Sequence, residues 1–489
     1  AALRVRFGGR DMSRHDDGTA APSGGPDART LTLAALSVEA VLSLVVWVVF
    51  DPAATGWQAR VDLPWLTDIG ATISLGVDGL SLPMVVMTAL VLPLALLGSW
   101  NNVRVRTPAF GALALVLTAG LIGVFVTLDL LAFYLAWELM LIPTYFLIGV
   151  WGAAGQSRAS LRYVLFTLVG SLLMLVAILS LWTLGGSSSF HLDQLMGLAL
   201  TPRAQLWMFG AFFLAFAVKS ALVPFHTWLP DAHVEAPTGG SIVLAAIMLK
   251  LGAYGFLRFS LPIAPDASIY LAPVVITLSL IAVIYVGLVA LVQKDMKKLV
   301  AYSSIAHMGF VTLGFFIFNP MGIEGGIVQM ISHGFVSGAM FFSIGVLYDR
   351  MHTRQIVDYG GVVQTMPRFT AFAVFFAMAN CGLPATSGFV GEFMVILGAI
   401  DYDFLIGFLA ATALILGAAY SLWMTKRVFF GAITNTHVAE LLDINKREFF
   451  ILSIFALLTI AMGVYPKPFT DLIHPSVIAL LKHIAISKI

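Results

Sequence analysis

Run after run of about twenty apolar residues, cut only by short polar or Gly/Pro-rich punctuation, leaves this chain few ways to fold. Each run is long enough to cross a ~30 Å hydrocarbon layer as a helix. Thirteen fall near 30–50, 82–100, 109–128, 130–151, 161–184, 206–229, 239–260, 270–292, 299–318, 324–348, 370–399, 404–430 and 448–465. A membrane barrel would show short segments of alternating polarity instead, and these are absent. Only 11% of the 489 residues are charged, against about 25% in soluble domains, so most of the chain cannot face water. The expected fold class is an all-α polytopic membrane protein. Its tail, Lys467–Ile489, is shorter and more polar and is expected to lie along the surface.

Lys and Arg orient the bundle. The leading segment and every second loop after it hold 19 of them: Arg4, Arg6, Arg10, Arg14, Arg29, Arg104, Arg106, Arg158, Arg162, Lys294, Lys297, Lys298, Arg350, Arg354, Arg368, Lys426, Arg427, Lys446 and Arg447. The other loops hold 6, namely Arg60, Arg203, Arg258, Lys467, Lys482 and Lys488. That bias places the first set in the cytoplasm. The chain opens on Ala1 rather than Met, and Ala1–Phe7 reads as the end of something cut away; a helix lost before it is one expectation. A net charge of +1 points to no nucleic-acid partner. The single cysteine, Cys381, leaves no internal disulfide and no cysteine-ligated cluster. No Gly-rich nucleotide loop follows a strand, and no His, Cys and carboxylate set has metal-ligand spacing. The run Gly185–Ser189 reads as a loop.

Ionisable groups inside apolar runs are the next constraint, because each costs at least ~2.5–3.5 kcal/mol at mid-bilayer and so marks a functional site. Glu138 sits in LAFYLAWELMLIP and is expected to set the protonation of a nearby lysine; a structural ion pair is the plainer reading. Lys219 sits in FFLAFAVKSALVPFHTWLP, five residues before Pro224. Proline removes a backbone donor, so this helix is predicted to break there, and broken helices at membrane depth line cavities. Lys250 lies within its run, with about two further turns after it, which argues against a lysine merely snorkelling to the interface. Glu392 lies in CGLPATSGFVGEFMVILGAI, where Gly382, Pro384, Gly388 and Gly391 mark a second broken helix. Glu39, in the first run, has no assigned role. His226, His307 and His333 fall in or beside apolar runs. A lone buried histidine is usually a hydrogen-bonded core residue, but three among buried Lys and Glu make the parts of a proton relay. Ser303, Ser304, Ser332 and Ser337 are placed to hold water between them.

The two breaks fall in the sixth and eleventh runs, five apart, each pairing a charge with a proline in opposite order. Two five-helix units with an odd number of crossings would start from opposite faces and so be inverted, as in transporters with sites on discontinuous helices. The expected division is 1–108, then repeats over 109–260 and 270–430, then 431–489.

Four long motifs carry a family resemblance: LAFYLAWELMLIPTYFLIGVWG, VKSALVPFHTWLPDAHVEAPTGGSIVLAAIMLK, QKDMKKLVAYSSIAHMGFVTLGFF and GLPATSGFVGEFMVILG. They resemble the antiporter-like chain M of bacterial NADH:quinone oxidoreductase (respiratory complex I), the counterpart of mitochondrial chain 4 and akin to Mrp antiporter subunits. The resemblance spans roughly 75–430 and implies fourteen helices, the thirteen here and a first one before Ala1. It implies that Glu138 is the carboxylate paired with a lysine, Lys219 that lysine, Lys250 the central lysine and Glu392 the terminal exit residue. Sister subunits carry lysine at the last position. His307 and His333 match histidines of the central polar axis, and Asp129 and His226 lie in family motifs as accessory residues.

The implied protein is a proton-translocating subunit of the oxidoreductase in the bacterial plasma membrane, beside neighbouring antiporter-like subunits. It would bind no cofactor itself; FMN, iron–sulfur clusters and the quinone would belong to partner subunits. The competing readings are an Mrp-type sodium/proton antiporter subunit, which needs clustered carboxylates and carbonyls, and a passive scaffold, which makes the buried charges dispensable. A subunit of a ferredoxin-linked or hydrogenase-linked relative stays open, because other chains read the electron donor.

Overall fold

In lipid every backbone N–H and C=O must be paired internally, so the apolar runs become helices joined by short turns. The computed structural model describes residues 27–54 and 56–489; Arg4, Arg6, Arg10, Arg14 and the segment Ala1–Phe7 lie outside the described residues. Helix α1 (Ala28–Val49) leads into an antiparallel hairpin of β1 (Gln58–Leu66) and β2 (Ala71–Val77), which pairs Leu63 with Ile73. Then come α2 (Leu82–Gly98), α3 (Thr107–Val126), α4 (Leu130–Trp151), α5 (Gln156–Leu184), α6 (Pro202–Lys219), α7 (Trp228–Glu235) and α8 (Thr238–Ile263). The second half has α9 (Pro265–Leu291), α10 (Met296–Phe316), α11 (Pro320–Met351), α12 (Pro367–Asn380), α13 (Ser387–Tyr402), α14 (Phe404–Phe429), α15 (Lys446–Val464) and α16 (Lys467–Ile484). Among the described residues, ten helices are long and apolar enough to cross a membrane.

Both predicted breaks are present. α6 stops at Lys219 and helix resumes at Trp228; α12 stops at Asn380 and helix resumes at Ser387. Each gap holds an alanine with positive φ, Ala221 at 56° and Ala385 at 71°. The Trp228 indole donates to the freed Val218 carbonyl at 2.9 Å, which satisfies one orphan acceptor of the broken end. A third interruption has no counterpart in the sequence reading: α4 slackens into a turn at Met140, two residues after Glu138. Pro143 explains it, since it offers no N–H to the Leu139 carbonyl one turn back.

The apolar stretch of α11 lies wholly inside the bundle, with those of α8 and α10 nearly so, while α1 and α14 turn most of their apolar residues outward. Outward Val48, Phe404 and Ile415 suit hydrocarbon and would be a liability in water. α16 packs Leu472, Ile473, Val477, Leu480 and Ile484 inward, along α11 among others. Many of the described basic residues assigned above to loops fall on helix ends, and two of them are buried within helices. Arg258 is within α8 and Lys297 within the first turn of α10, and both are buried because each has partners there. The hairpin was also unforeseen, although Val61, Leu63 and Trp65 alternate with the period of a strand.

Candidate functional site

The first charged station sits where three helices are interrupted or meet. Lys219 is the last residue of α6, where the negative end of the helix dipole favours a cation. Its Nζ donates to the Tyr163 hydroxyl of α5 at 3.2 Å and lies 5.3 Å from the Tyr163 ring centre and 5.4 Å from that of Trp137. Glu138, next to Trp137, is therefore close without being the direct partner expected of it. Its Oε1 is enclosed with no protein hydrogen bond among the described residues. The implied ion pair is not a direct contact: among the described residues Lys219 is held by the Tyr163 hydroxyl and two ring faces, and Glu138 Oε1 has no partner.

Lys250 occupies a stretch of α8 squeezed between two π-helical turns, Leu244–Met248 and Phe256–Ser260. Such wide turns recur at functional sites. The ammonium folds back toward the start of its own helix, donating to the Ala245 carbonyl at 2.6 Å and meeting His333 Nδ1 at 2.6 Å. Two full charges at that distance in apolar surroundings would repel strongly, so at most one of the two groups carries a charge at a time. α8 comes this close to α6 because residue 252 is glycine: a Cβ there would stand 2.4 Å from the Phe216 carbonyl oxygen.

From His333 the ring of His307 is 5.4 Å away, centre to centre. His307 Nδ1 stands 3.2 Å from Glu392 Oε1 and 3.2 Å from Gln329 Nε2, and that amide also donates to Glu392 Oε1 at 3.1 Å. Protonated, Nδ1 donates to the carboxylate; unprotonated, it accepts from the amide. The site thus has two hydrogen-bonded arrangements, set by whether Nδ1 carries a proton. His307 Nε2 and His333 Nε2 have no protein partner among the described residues, so each ring keeps a nitrogen free for exchange. Ser332 and Ser387 hydroxyls meet at 2.7 Å nearby. Glu392 rests against the second break: Gly382 has φ +73°, and a Cβ on it would lie 2.5 Å from Glu392 Oε2.

A cavity of about 250 Å³ opens at the Lys/Arg-rich end, lined by Glu235, Lys297, Asp349, His352 and Arg354 among others. Lys297 donates to the Ala236 carbonyl at 2.9 Å and to the Ser241 hydroxyl at 3.1 Å, and Ser241 in turn donates to the His233 carbonyl. His233 is fully buried, stacked on Phe341, with both ring nitrogens unpartnered among the described residues. Sequence reasoning missed both. WLPDAH and QKDMKK look like ordinary helix ends, and only tertiary packing buries them.

Asp129 caps α4, accepting from the backbone of Leu131, Ala132 and Thr72. It ties helix to hairpin, away from the axis. His226 lies in the first break, half-buried, with Nδ1 unpartnered among the described residues. Glu39 is half-buried on α1, far along the sequence from these groups and, among the described residues, without a hydrogen bond to its Oε1.

Residues 127–416, the stretch that carries every one of these axis residues, match the model of a family described as NADH:quinone oxidoreductase/Mrp antiporter, transmembrane. The chain belongs to that family. NADH-quinone oxidoreductase subunit M of Rhodobacter capsulatus is 45% identical over 94% of this chain and 92% of its own length. NADH-ubiquinone oxidoreductase chain 4 of Arabidopsis thaliana is 44% identical over 93% and 92%. A chain of respiratory complex I from Thermus thermophilus superposes with TM-score 0.86 at 34% identity, over 94% of this chain and 96% of that one. Near-complete coverage in both directions means that this member of the NADH:quinone oxidoreductase/Mrp family matches its relatives over nearly their whole length rather than over one module.

Proposed function

We propose that this chain is the proton-translocating membrane subunit of an NADH:quinone oxidoreductase, coupled to electron transfer in partner subunits. The observation that carries the reading is the buried run from Lys250 through His333 and His307 to Glu392. A proton path needs ionisable groups close enough to exchange, enclosed by apolar walls, and the run meets both needs. Lys219 and Glu138 form the loading station, and the cavity at Lys297 admits protons from the Lys/Arg-rich face, which is cytoplasmic by charge bias. Electron transfer elsewhere shifts the charges along the axis, a coupling free energy between distant sites.

In this reading the ten long helices, the shorter α2 and the two broken helices make thirteen crossings. Residues 109–260 and 270–430 are inverted five-helix units, flanked by 1–108 and 431–489. FMN, iron–sulfur clusters and quinone belong to partner subunits, neighbouring antiporter-like subunits flank the chain, and the membrane is a bacterial plasma membrane. Sodium exchange of the Mrp type would want several converging oxygens. The central pair here is an ammonium and an imidazole, which favours protons.

The test replaces Lys250 with alanine in the assembled complex, with assembly confirmed on a native gel. Proton pumping and NADH:quinone turnover in vesicles are expected to fall together by about tenfold or more, the scale on which a positioned proton-transfer group contributes. Unchanged pumping would remove Lys250 from the path.

A further inference from the structure

A proton held at Lys250 must not escape to the opposite face by the shortest route, straight up α8. That route is lined with polar groups. Tyr254 and Arg258 follow Lys250 at intervals of four, so the helix brings them to nearly one face. Arg258 Nη2 donates to Asp78 Oδ1 at 2.6 Å, and Asp78 borders a cavity of about 260 Å³ roofed by Trp57, Pro475 and Ser476. A polar chain thus runs from the central helix to a cavity at the end away from the Lys/Arg-rich loops.

We propose that Tyr254, Arg258 and Asp78 form a proton-insulating plug, which forces protons leaving Lys250 to go through His333 and His307 to Glu392. The proposal rests on the proton-conducting reading above. Its chemistry is that of the individual groups. The Tyr254 hydroxyl donates to the Phe125 carbonyl at 3.0 Å and accepts from Arg258 Nε at 3.0 Å, so its own proton is committed sideways. The guanidinium has no acceptor lone pair and does not deprotonate in proteins, so a proton cannot hop through it. Its fixed positive charge also repels an approaching hydronium, as arginines do in selective pores. It is held rigidly: its Cζ lies 4.6 Å from the Trp57 ring centre and 5.3 Å from that of Tyr254, and it is buried. Lys250 bends the other way, toward Ala245 and His333.

Arg258→Met in the intact complex tests this. Passive proton leak is read in vesicles under an imposed pH gradient without NADH, and pumped protons per NADH are read with it. With the guanidinium gone, leak is expected to rise about tenfold or more, given the cost a buried charge imposes, and protons per NADH to fall while turnover persists. Arg258→Lys keeps a positive charge on a group that can lose its proton when buried, so its leak is expected to lie between those of wild type and Arg258→Met. Assembled Arg258→Met with wild-type leak and wild-type stoichiometry would overturn the plug and leave a structural ion pair. If Arg258→Met fails to assemble, Arg258→Gln, which keeps a polar side chain without the charge, is read the same way: a raised leak supports the plug, and wild-type leak with wild-type stoichiometry overturns it. Adding Lys250→Ala to Arg258→Met is expected to abolish the leak. A persisting leak would overturn the route through Lys250 assigned here, whereas failure of the parent reading shows separately, as normal pumping in Lys250→Ala alone.

Discussion

The two broken helices hold opposite charges, and they hold them differently. Lys219 closes its half helix, where the dipole helps it, and is otherwise kept by one hydroxyl and two ring faces. Glu392 lies in the second turn of its half helix, beyond the reach of that helix's dipole. It is fixed instead by converging donors, Gln329 and His307, and by a glycine that leaves it room. A cation held softly changes charge state at small cost to its surroundings. An anion held by donors that can exchange roles changes state together with its partner. The first break therefore suits loading, and the second suits a switched release.

The largest expected effect is at Gly382. Alanine there must adopt φ near +73° and place Cβ 2.5 Å from Glu392 Oε2 and 3.0 Å from Leu414. The backbone costs ~1–2 kcal/mol and the crowding a further ~1–3. Because the displaced group is the reacting carboxylate, pumping is expected to fall by about tenfold or more. Gly186→Ala is the control, with φ +79° and nothing within 4 Å of the new Cβ. It carries the same ~1–2 kcal/mol backbone cost, and its pumping should match wild type. Thermal stability and pumping of both variants, measured side by side, separate strain from displacement. Equal pumping in the two would mean that Glu392 is less tightly held than its contacts indicate.

Tyr163→Phe probes the softer station. The phenyl ring stays beneath the ammonium, so only the 3.2 Å hydrogen bond is lost. That is worth about 1 kcal/mol, and pumping is expected to fall by a few fold with assembly intact. No change at all would mean that the ring faces suffice to hold Lys219.

How far the sequence revealed this difference depends on what each feature requires. Both breaks were legible because Pro224 and Pro384 interrupt apolar runs beside a charge, a purely local signal. Lys219, Lys250 and Glu392 stood out because apolar neighbours surround them along the chain. Lys297 and His233 did not, since their burial comes from α7, α8 and α10 folding over them. The Arg258–Asp78 pair joins residues 180 positions apart, and no single sequence shows which carboxylate finds which guanidinium. The π-helical turns around Lys250 have no compositional mark. The hairpin had one, an alternation short beside the apolar runs that flank it.

The smallest effect compares the positive-φ alanines of the two gaps. Replacing either with glycine relieves ~1–2 kcal/mol of left-handed strain and gives back ~0.4–1 through a more flexible unfolded chain. Ala221 is fully buried, so losing its methyl also costs about 0.8 kcal/mol. Ala385 is exposed and loses nothing of the kind. Ala385→Gly is therefore expected to stabilise the protein slightly, by about 0.5 kcal/mol, and Ala221→Gly to leave it nearly unchanged. Neither should alter pumping, because neither methyl is a hydrogen-bonding group of the axis. If Ala221→Gly impaired pumping while Ala385→Gly did not, the rigidity of the first gap would be part of the loading step, and softness at Lys219 would be confined to its side chain.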